Sequence, residues 1–266
     1  MLYGAMNSPV MPVLDELKII HELGFDYFEL TMDAPEAHFT KIRRMKAAFL
    51  KALDSFRMSV VCHLPTFIST ADLTPALRKA SLKEVLSSLE VAADIHALKV
   101  VLHPSRMGGI GLLVKDQVYR YAMESLEKIV ARGDQLGLCI CIENMFPQNG
   151  LFFDPPDFIP VLEKFPGLKL TLDTGHAHLS GGAGSKCLEF IEMFGNRIAH
   201  VHVSDNFGVQ DNHLPVGTGS IDFPPIIRAL KGIPYNETIT LEVFSRDKDY
   251  LRISREKLVS LFGESS

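Results

Sequence analysis

Six apolar, strand-like runs in this chain finish on histidine, aspartate or glutamate: VVCHLP, KVVLHP, CICIEN, LTLDTGH, AHVHVSD and ITLEVF. With their flanks they supply nine candidate metal ligands: His63, His103, Glu143, Asp173, His176, His202, Asp211, His213 and Glu242. One histidine at the end of one strand is ordinarily a packed or hydrogen-bonded side chain. Six successive strands that end this way need a shared cause, and a centre of one to three divalent ions is the economical one. Glu143, Asp173, His202 and Glu242 end the last four strands and form an oxygen and nitrogen set. Such a set suits Zn2+, Mn2+, Mg2+ or Co2+ without any thiolate. Charge counting bears on occupancy. Four carboxylates and five neutral imidazoles sum to −4, so one divalent ion leaves −2, two leave zero and three leave +2. A buried double negative charge is costly. More than one ion therefore fits, and so does one tight ion beside a weakly filled second site.

Other residues group around these. His176 follows Asp173 by three across Gly175, and Asp211 and His213 lie two apart after the seventh strand, where an extended stretch would let them bind together. His200 shares the inward face with His202 at period two, one layer deeper, and reads as support or core. Glu29 ends the second strand, either lining a mouth or meeting solvent. With Phe67 and Asn144 it makes up the expected substrate contacts. His21, His38 and His96 fall in helical stretches and His178 in a loop, with no role assigned. The segment HLPVGTGSIDF resembles a phosphate- or substrate-binding turn, although a lone G-x-G is weak evidence.

The elements that must position these groups alternate from end to end. Strands are predicted at 2–6, 26–30, 58–63, 99–103, 138–143, 168–173, 198–203 and 238–243. Helices are predicted near 12–23, 36–55, 75–97, 115–136, 156–165, 184–194, 223–230 and 249–262. The clearest is 75–97, where Leu77, Leu82, Leu86, Leu89, Ala93 and Ala97 recur at helical spacing. Eight β-then-α units without a linker imply parallel strands with crossover helices. An open doubly wound sheet gathers ligands at one switch point, whereas a barrel brings all its strand ends to one mouth. Ligands spread over strands three to eight require the barrel. The expectation is an α/β fold, a single (β/α)8 TIM barrel over 1–266 with its site at the C-terminal strand ends.

Composition narrows the classes. At 266 residues, 47% apolar and 22% charged with net charge −5, the chain suits one large soluble core and has no basic stripe for non-specific DNA binding. The helix at 36–55 carries Lys41, Arg43, Arg44, Lys46 and Lys51, read as a solvated face, with phosphate-backbone contact as the sharper alternative. The start of the chain, MLYGAMNSPVMPVLDELK, lacks a basic region followed by a continuous apolar one, so no signal peptide is expected, and no run is apolar enough to predict a membrane span. Cys62, Cys139, Cys141 and Cys187 read as small buried thiols rather than a disulfide framework, which fits a reducing, cytoplasmic setting.

At this point the chain resembles the xylose isomerase-like TIM barrels. This superfamily includes sugar and sugar-phosphate isomerases and epimerases, inositol-catabolism enzymes and endonuclease IV-type AP endonucleases. The resemblance covers nearly the whole chain and rests on GFDYFEL, CIEN, LDTGHAHLSGG, and HVHVSDN followed by DNHLPVGTGSIDF. In the isomerase and epimerase branch it implies one divalent ion on Glu143, Asp173, His202 and Glu242. In the endonuclease IV branch it implies three zinc ions on all nine residues. The chain departs from that second pattern with LDTGH in place of D-T-C-H, HVSD in place of H-x-N-D/E, and HLPTFIST in place of a Tyr-containing DNA-facing loop. GFDYFEL and DNHLPVGTGSIDF fit the sugar branch better.

The resemblance thus implies a metal-dependent isomerase or epimerase acting on a small-molecule sugar or sugar phosphate. Glu143 and Glu242 would be its catalytic acid–base pair, and a phosphate would use the glycine-containing loop after His213 or a helix N-terminus. The alternative is hydrolysis of phosphodiesters at abasic sites, with nucleic acid as partner. A metal-binding barrel without turnover is the third class.

Overall fold

The computed structural model describes residues 1–182 and 184–263. Eight parallel strands close a barrel in sequence order: β1 (Leu2–Met6), β2 (Tyr27–Thr31), β3 (Ser59–His63), β4 (Val100–Leu102), β5 (Ile140–Glu143), β6 (Lys169–Asp173), β7 (Ile198–Val203) and β8 (Thr238–Leu241). Pairing of Leu2 with Thr238 and of Gly4 with both Tyr27 and Thr240 shuts the ring. Around it run α1 (Val13–Glu22), α2 (Phe39–Phe56), α3 (Pro75–Asp94), α4 (Lys115–Leu136), α5 (Pro155–Lys164), α6 (Thr174–Leu179), α7 (Ser185–Phe194), α8 (Phe223–Gly232) and α9 (Asp249–Gly263). The expected TIM barrel is the observed architecture. Among the described residues no helix is long and apolar enough to cross a membrane.

Strand periodicity explains the two cores. Phe28, Leu30, Val60, Cys62, Ile140, Ile142, Leu170 and Leu172 face outward and pack with Leu17, Ile42, Phe49 and Leu89 of the helices. Burying such a side chain contributes roughly 1.5–3 kcal/mol. The alternate positions point into the barrel, where Tyr27, Val61 and Val101 form a small separate cluster. Gly4 is glycine for a steric reason, because a Cβ there would overlap the Tyr27 ring. Much of the remaining interior is polar, and several of its groups satisfy one another as burial requires. The Tyr27 hydroxyl meets Thr240 Oγ1 at 2.6 Å, His200 Nδ1 meets Thr238 Oγ1 at 2.7 Å, and Lys99 Nζ donates to Thr238 Oγ1 at 3.1 Å.

Several local expectations change. β4 and β8 stop one residue before His103 and Glu242. Helix 75–97 ends at Asp94, and His96 adopts a left-handed φ of 59°. His38 caps α2 rather than lying within it. His178, expected in a loop, lies in α6. Six residues with a glycine among them carry too little periodicity to read as a helix. The turn forms because the Asp173 carboxylate accepts the His176 N–H at 2.6 Å. The basic residues of α2 form a solvated face: Arg43 lies 3.4 Å from Glu90, Lys46 lies 3.3 Å from Asp94, and Lys41 pairs with Glu36.

Candidate metal centre

The barrel brings all nine residues to one mouth. On one side, His63 Nε2 and His103 Nε2 stand 3.3 and 3.0 Å from Glu143 Oε2. In the middle, His202 Nδ1 lies 3.1 Å from Glu143 Oε1, 2.9 Å from Glu242 Oε1 and 3.8 Å from Asp173 Oδ2. On the far side, His176 Nε2 and His213 Nε2 converge on Asp211 Oδ2 at 3.2 and 3.0 Å. The nine groups therefore fall into three clusters. Glu143 joins the first two, and His176 and His213 adjoin the third to them. His213 reaches Asp211 by a left-handed turn at φ 46°, not the expected extended stretch. Histidine tolerates that region better than most residues.

Neighbouring groups select which nitrogen faces inward. Hydrogen-bond partners hold His63 Nδ1 on the Leu64 carbonyl at 2.8 Å and His176 Nδ1 on the Asn144 carbonyl at 2.9 Å. Each imidazole thus donates outward and turns Nε2 to the cluster. His202 is reversed: Nε2 sits 3.0 Å from Glu29 Oε1, leaving Nδ1 for the centre. Such partners fix ring orientation and raise ligand basicity.

Electrostatics follow from this crowding. Burial pushes the Glu143 carboxyl up, but the His202 and His103 imidazoles outweigh it and hold Glu143 well below the usual carboxylate range. Glu242 is lowered in the same way against burial, by His202 and His213. Burial drives Asp173 up to about 7, opposed by His176 and reinforced by Glu242 and Glu143. His63 rises to about 9 despite its burial, through Glu143, and His176, His202 and His213 also rise. Asp173 Oδ2, Asp211 Oδ1 and His213 Nδ1 are buried without a hydrogen-bond partner. Orphaned acceptors beside convergent nitrogen and oxygen donors fit a divalent cation. The donor atoms of His63, Glu143, His202 and Glu242 lie within 4.8 Å of one another, as do those of Glu143, Asp173 and His176.

Two expected substrate contacts sit elsewhere. Glu29 is fully buried, one layer below the ligands, between His202 Nε2 and His200 Nε2 at 3.0 Å each, with Thr240 as a further donor. It reaches neither the mouth nor solvent, because β2 register places it opposite the floor of the site. Asn144 is also fully buried. Its amide donates to the Asp173 carbonyl at 3.0 Å and accepts the Asp173 N–H at 2.8 Å, which clips β5 to β6. Phe67 does line the mouth, a cavity of about 320 Å³ whose walls include Met6, Thr31, Asp33, Met145, Phe146 and Phe244.

The glycine-containing loop is not an anion cradle. The Asp205 carboxylate already accepts the N–H groups of Asn206, Gly217, Gly219 and Ile221 at 2.9–3.1 Å. An internal anion fills the nest that a phosphate was expected to use. Sequence reasoning missed Asp205 and also Asp33, whose carboxylate holds the Thr66 N–H at 3.0 Å and shapes the loop carrying Phe67. Both lie two residues past a strand, the one signal that marks them. The departure at LDTGH has a steric basis: a Cβ at Gly175 would come 2.6 Å from Ser204 Oγ.

A closed eight-stranded barrel with this donor set at its C-terminal mouth defines a class, and sequence comparison agrees with it. Residues 17–260 match the xylose isomerase-like TIM barrel family, and the chain belongs to that family. It is 32% identical over 238 residues to the uncharacterized protein MJ1614 of Methanocaldococcus jannaschii, spanning 88% of this chain and 87% of that one. It is 26% identical over 225 residues to a probable endonuclease 4 of Mycobacterium leprae (82% and 85%), and 18% identical over 268 residues to fructoselysine 3-epimerase of Escherichia coli O157:H7 (96% and 95%). Among solved structures, a D-tagatose 3-epimerase-like protein superposes with a TM-score of 0.82 at 26% identity, over 97% of this chain and 100% of that one. A Thermus thermophilus protein soaked with ZnCl2 shares the fold at 0.77 and 23% identity, over the whole of both chains.

Proposed function

We propose that this chain is a divalent-metal-dependent sugar or sugar-phosphate isomerase or epimerase. The observation that carries the reading is the convergence of Glu143 and Glu242 on His202 Nδ1, 3.1 and 2.9 Å away, next to a cavity of about 320 Å³ that Glu242, His63, His103 and His176 line. Glu143, Asp173, His202 and Glu242 would hold the ion. Bound there, a divalent cation polarises a carbonyl and its neighbouring hydroxyl and stabilises charge developing on those oxygens. Glu143 and Glu242 are both kept ionised, so either can accept a proton from the carbon next to the carbonyl. With the substrate carbon held between them, one would remove that proton and the other return it, as epimerisation requires. Met6, Met145, Phe146 and Phe244 line the walls and limit water at the reacting carbon. A cytoplasmic setting suits the four unpaired thiols.

A second reading, endonuclease IV-like hydrolysis at abasic sites with three zinc ions, is favoured by the complete nine-residue set and its division into three clusters. Charge argues against it. Arg106 is the one lysine or arginine among the described residues lining the mouth, and a duplex needs many phosphate contacts. Incubation of the metal-loaded protein with ketoses in D2O tests the first reading by exchange of the proton next to the carbonyl. Absence of exchange, together with incision of an abasic-site duplex, would reverse the order.

A further inference from the structure

Beside the mouth lies a second cavity of about 660 Å³, outside the barrel between the β3–α3 segment, the start of α3 and the β4–α4 segment. Phe67 and Arg106 line both spaces, so the two adjoin at these side chains. The side cavity is walled by apolar groups left in water: Phe67 is 78% exposed, Ile110 68% and Leu77 56%, with buried Met107 behind them. Such a run of exposed apolar side chains around a concavity calls for an occupant. Arg106 stands at the junction. Its guanidinium makes no hydrogen bond or ion pair with any described residue, while its carbonyl accepts from Ser69 Oγ at 3.3 Å. The other anion site that the sequence suggested is already filled by Asp205.

Resting on the epimerase reading, we infer that the substrate is a two-part molecule. Its sugar carries an oxyanion, phosphate or carboxylate, that meets Arg106, and an apolar appendage lies in the side cavity against Phe67, Leu77, Met107 and Ile110. A free guanidinium matches either oxyanion in a bidentate geometry. Size agrees: the mouth is at the small end of ligand cavities, about 300–1,000 Å³, and the side cavity holds as much again and more. A free neutral monosaccharide would leave both Arg106 and the apolar wall unused.

Calorimetric titration of the zinc-loaded protein tests this with four probes: para-nitrophenyl glucoside, para-nitrophenyl glucuronide, para-nitrophenyl glucoside phosphorylated at the primary hydroxyl, and the corresponding sugar phosphate without the aryl group. One or both anionic aryl probes are expected to bind about tenfold or more tighter than the neutral glucoside. Whichever does so identifies the oxyanion. Arg106→Gln should erase that gain and leave the neutral glucoside unchanged. The double substitution Leu77→Ser with Ile110→Ser, both at exposed positions, should weaken the aryl probes and spare the sugar phosphate. Equal affinity for charged and neutral probes, no contribution from the aryl group, or no binding of any probe overturns the inference. Proton exchange from a ketose is read separately. A protein that exchanges without these preferences retains the epimerase reading and loses this one.

Discussion

Glu29 shows how one buried side chain can govern a centre it does not enter. Its carboxylate is held well below the usual range, because His202 and His200 outweigh the effect of burial. As an acceptor-only group it keeps the proton of His202 on Nε2 and frees Nδ1. Glu29→Gln offers a neutral amide instead, and the expected loss is about 10–100-fold in metal affinity. Chelator competition measures this, with circular dichroism to verify the fold. Unchanged affinity would mean that Glu29 does not set the tautomer. The raised histidines give a second expectation. A cation on Glu143, Asp173, His202 and Glu242 would displace the proton that His202 gains from its acids and repel those on neighbouring His63, His176 and His213, so affinity should increase with pH through neutrality and still be rising near 9, where His63 titrates. Titrations in buffers of different ionisation enthalpy should register proton release at pH 7, and a buffer-independent heat would contradict it.

At the scale of elements, Asp205 organises the β7–α8 connection much as a capping residue organises a helix. Four N–H groups close on one carboxylate, and Leu214 bridges back to the Asp205 backbone with N–O distances of 2.8 and 2.9 Å. The same connection carries Asp211 and His213. Asp205→Asn turns an amide donor toward donors, and the expected cost is about 1–3 kcal/mol. Hydrogen exchange should accelerate over residues 206–221 while the strands stay protected; uniform acceleration would assign Asp205 a global role instead. The β6–α6 junction is equally tight. Gly175→Ala should lower Tm, and adding Ser204→Ala should recover most of the loss, because the obstructing atom is Ser204 Oγ. Failure of the double variant to recover would place the constraint on the next side-chain atoms, Asp173 Oδ1 at 3.3 Å and Asn206 Nδ2 at 3.4 Å.

For the whole molecule, the candidate ligands come from the ends of β3 to β8 and from the β7–α8 connection, so an ion held among them would act as a clamp across most of the barrel. A cation that binds the folded state alone would, at a hundredfold excess over Kd, contribute about 3 kcal/mol, an expected rise in Tm of roughly 5–10 °C. Chelation should reverse that rise, and calorimetry with zinc or manganese should restore it in a concentration-dependent way. A Tm indifferent to chelator and added ion would remove the metal from the account. Surface charge belongs to this scale too. Lys41, Arg43 and Lys46 of α2 are occupied by neighbouring acids, which leaves these three less available to a phosphate backbone.

Alternating apolar runs and amphipathic stretches were enough to define the barrel, since period two and period 3.6 are local properties and eight βα units allow few closed arrangements. Donor residues at six strand ends were equally legible, because strand direction alone carries those ends to one face. Only tertiary structure decided the rest: which nitrogen each histidine presents, that Glu29 and Asn144 brace the site from within, and that the glycine loop is already filled. Those outcomes depend on groups far apart in the chain, such as Glu29 and His202, 173 residues distant, whose contact exists only once the ring of strands has closed.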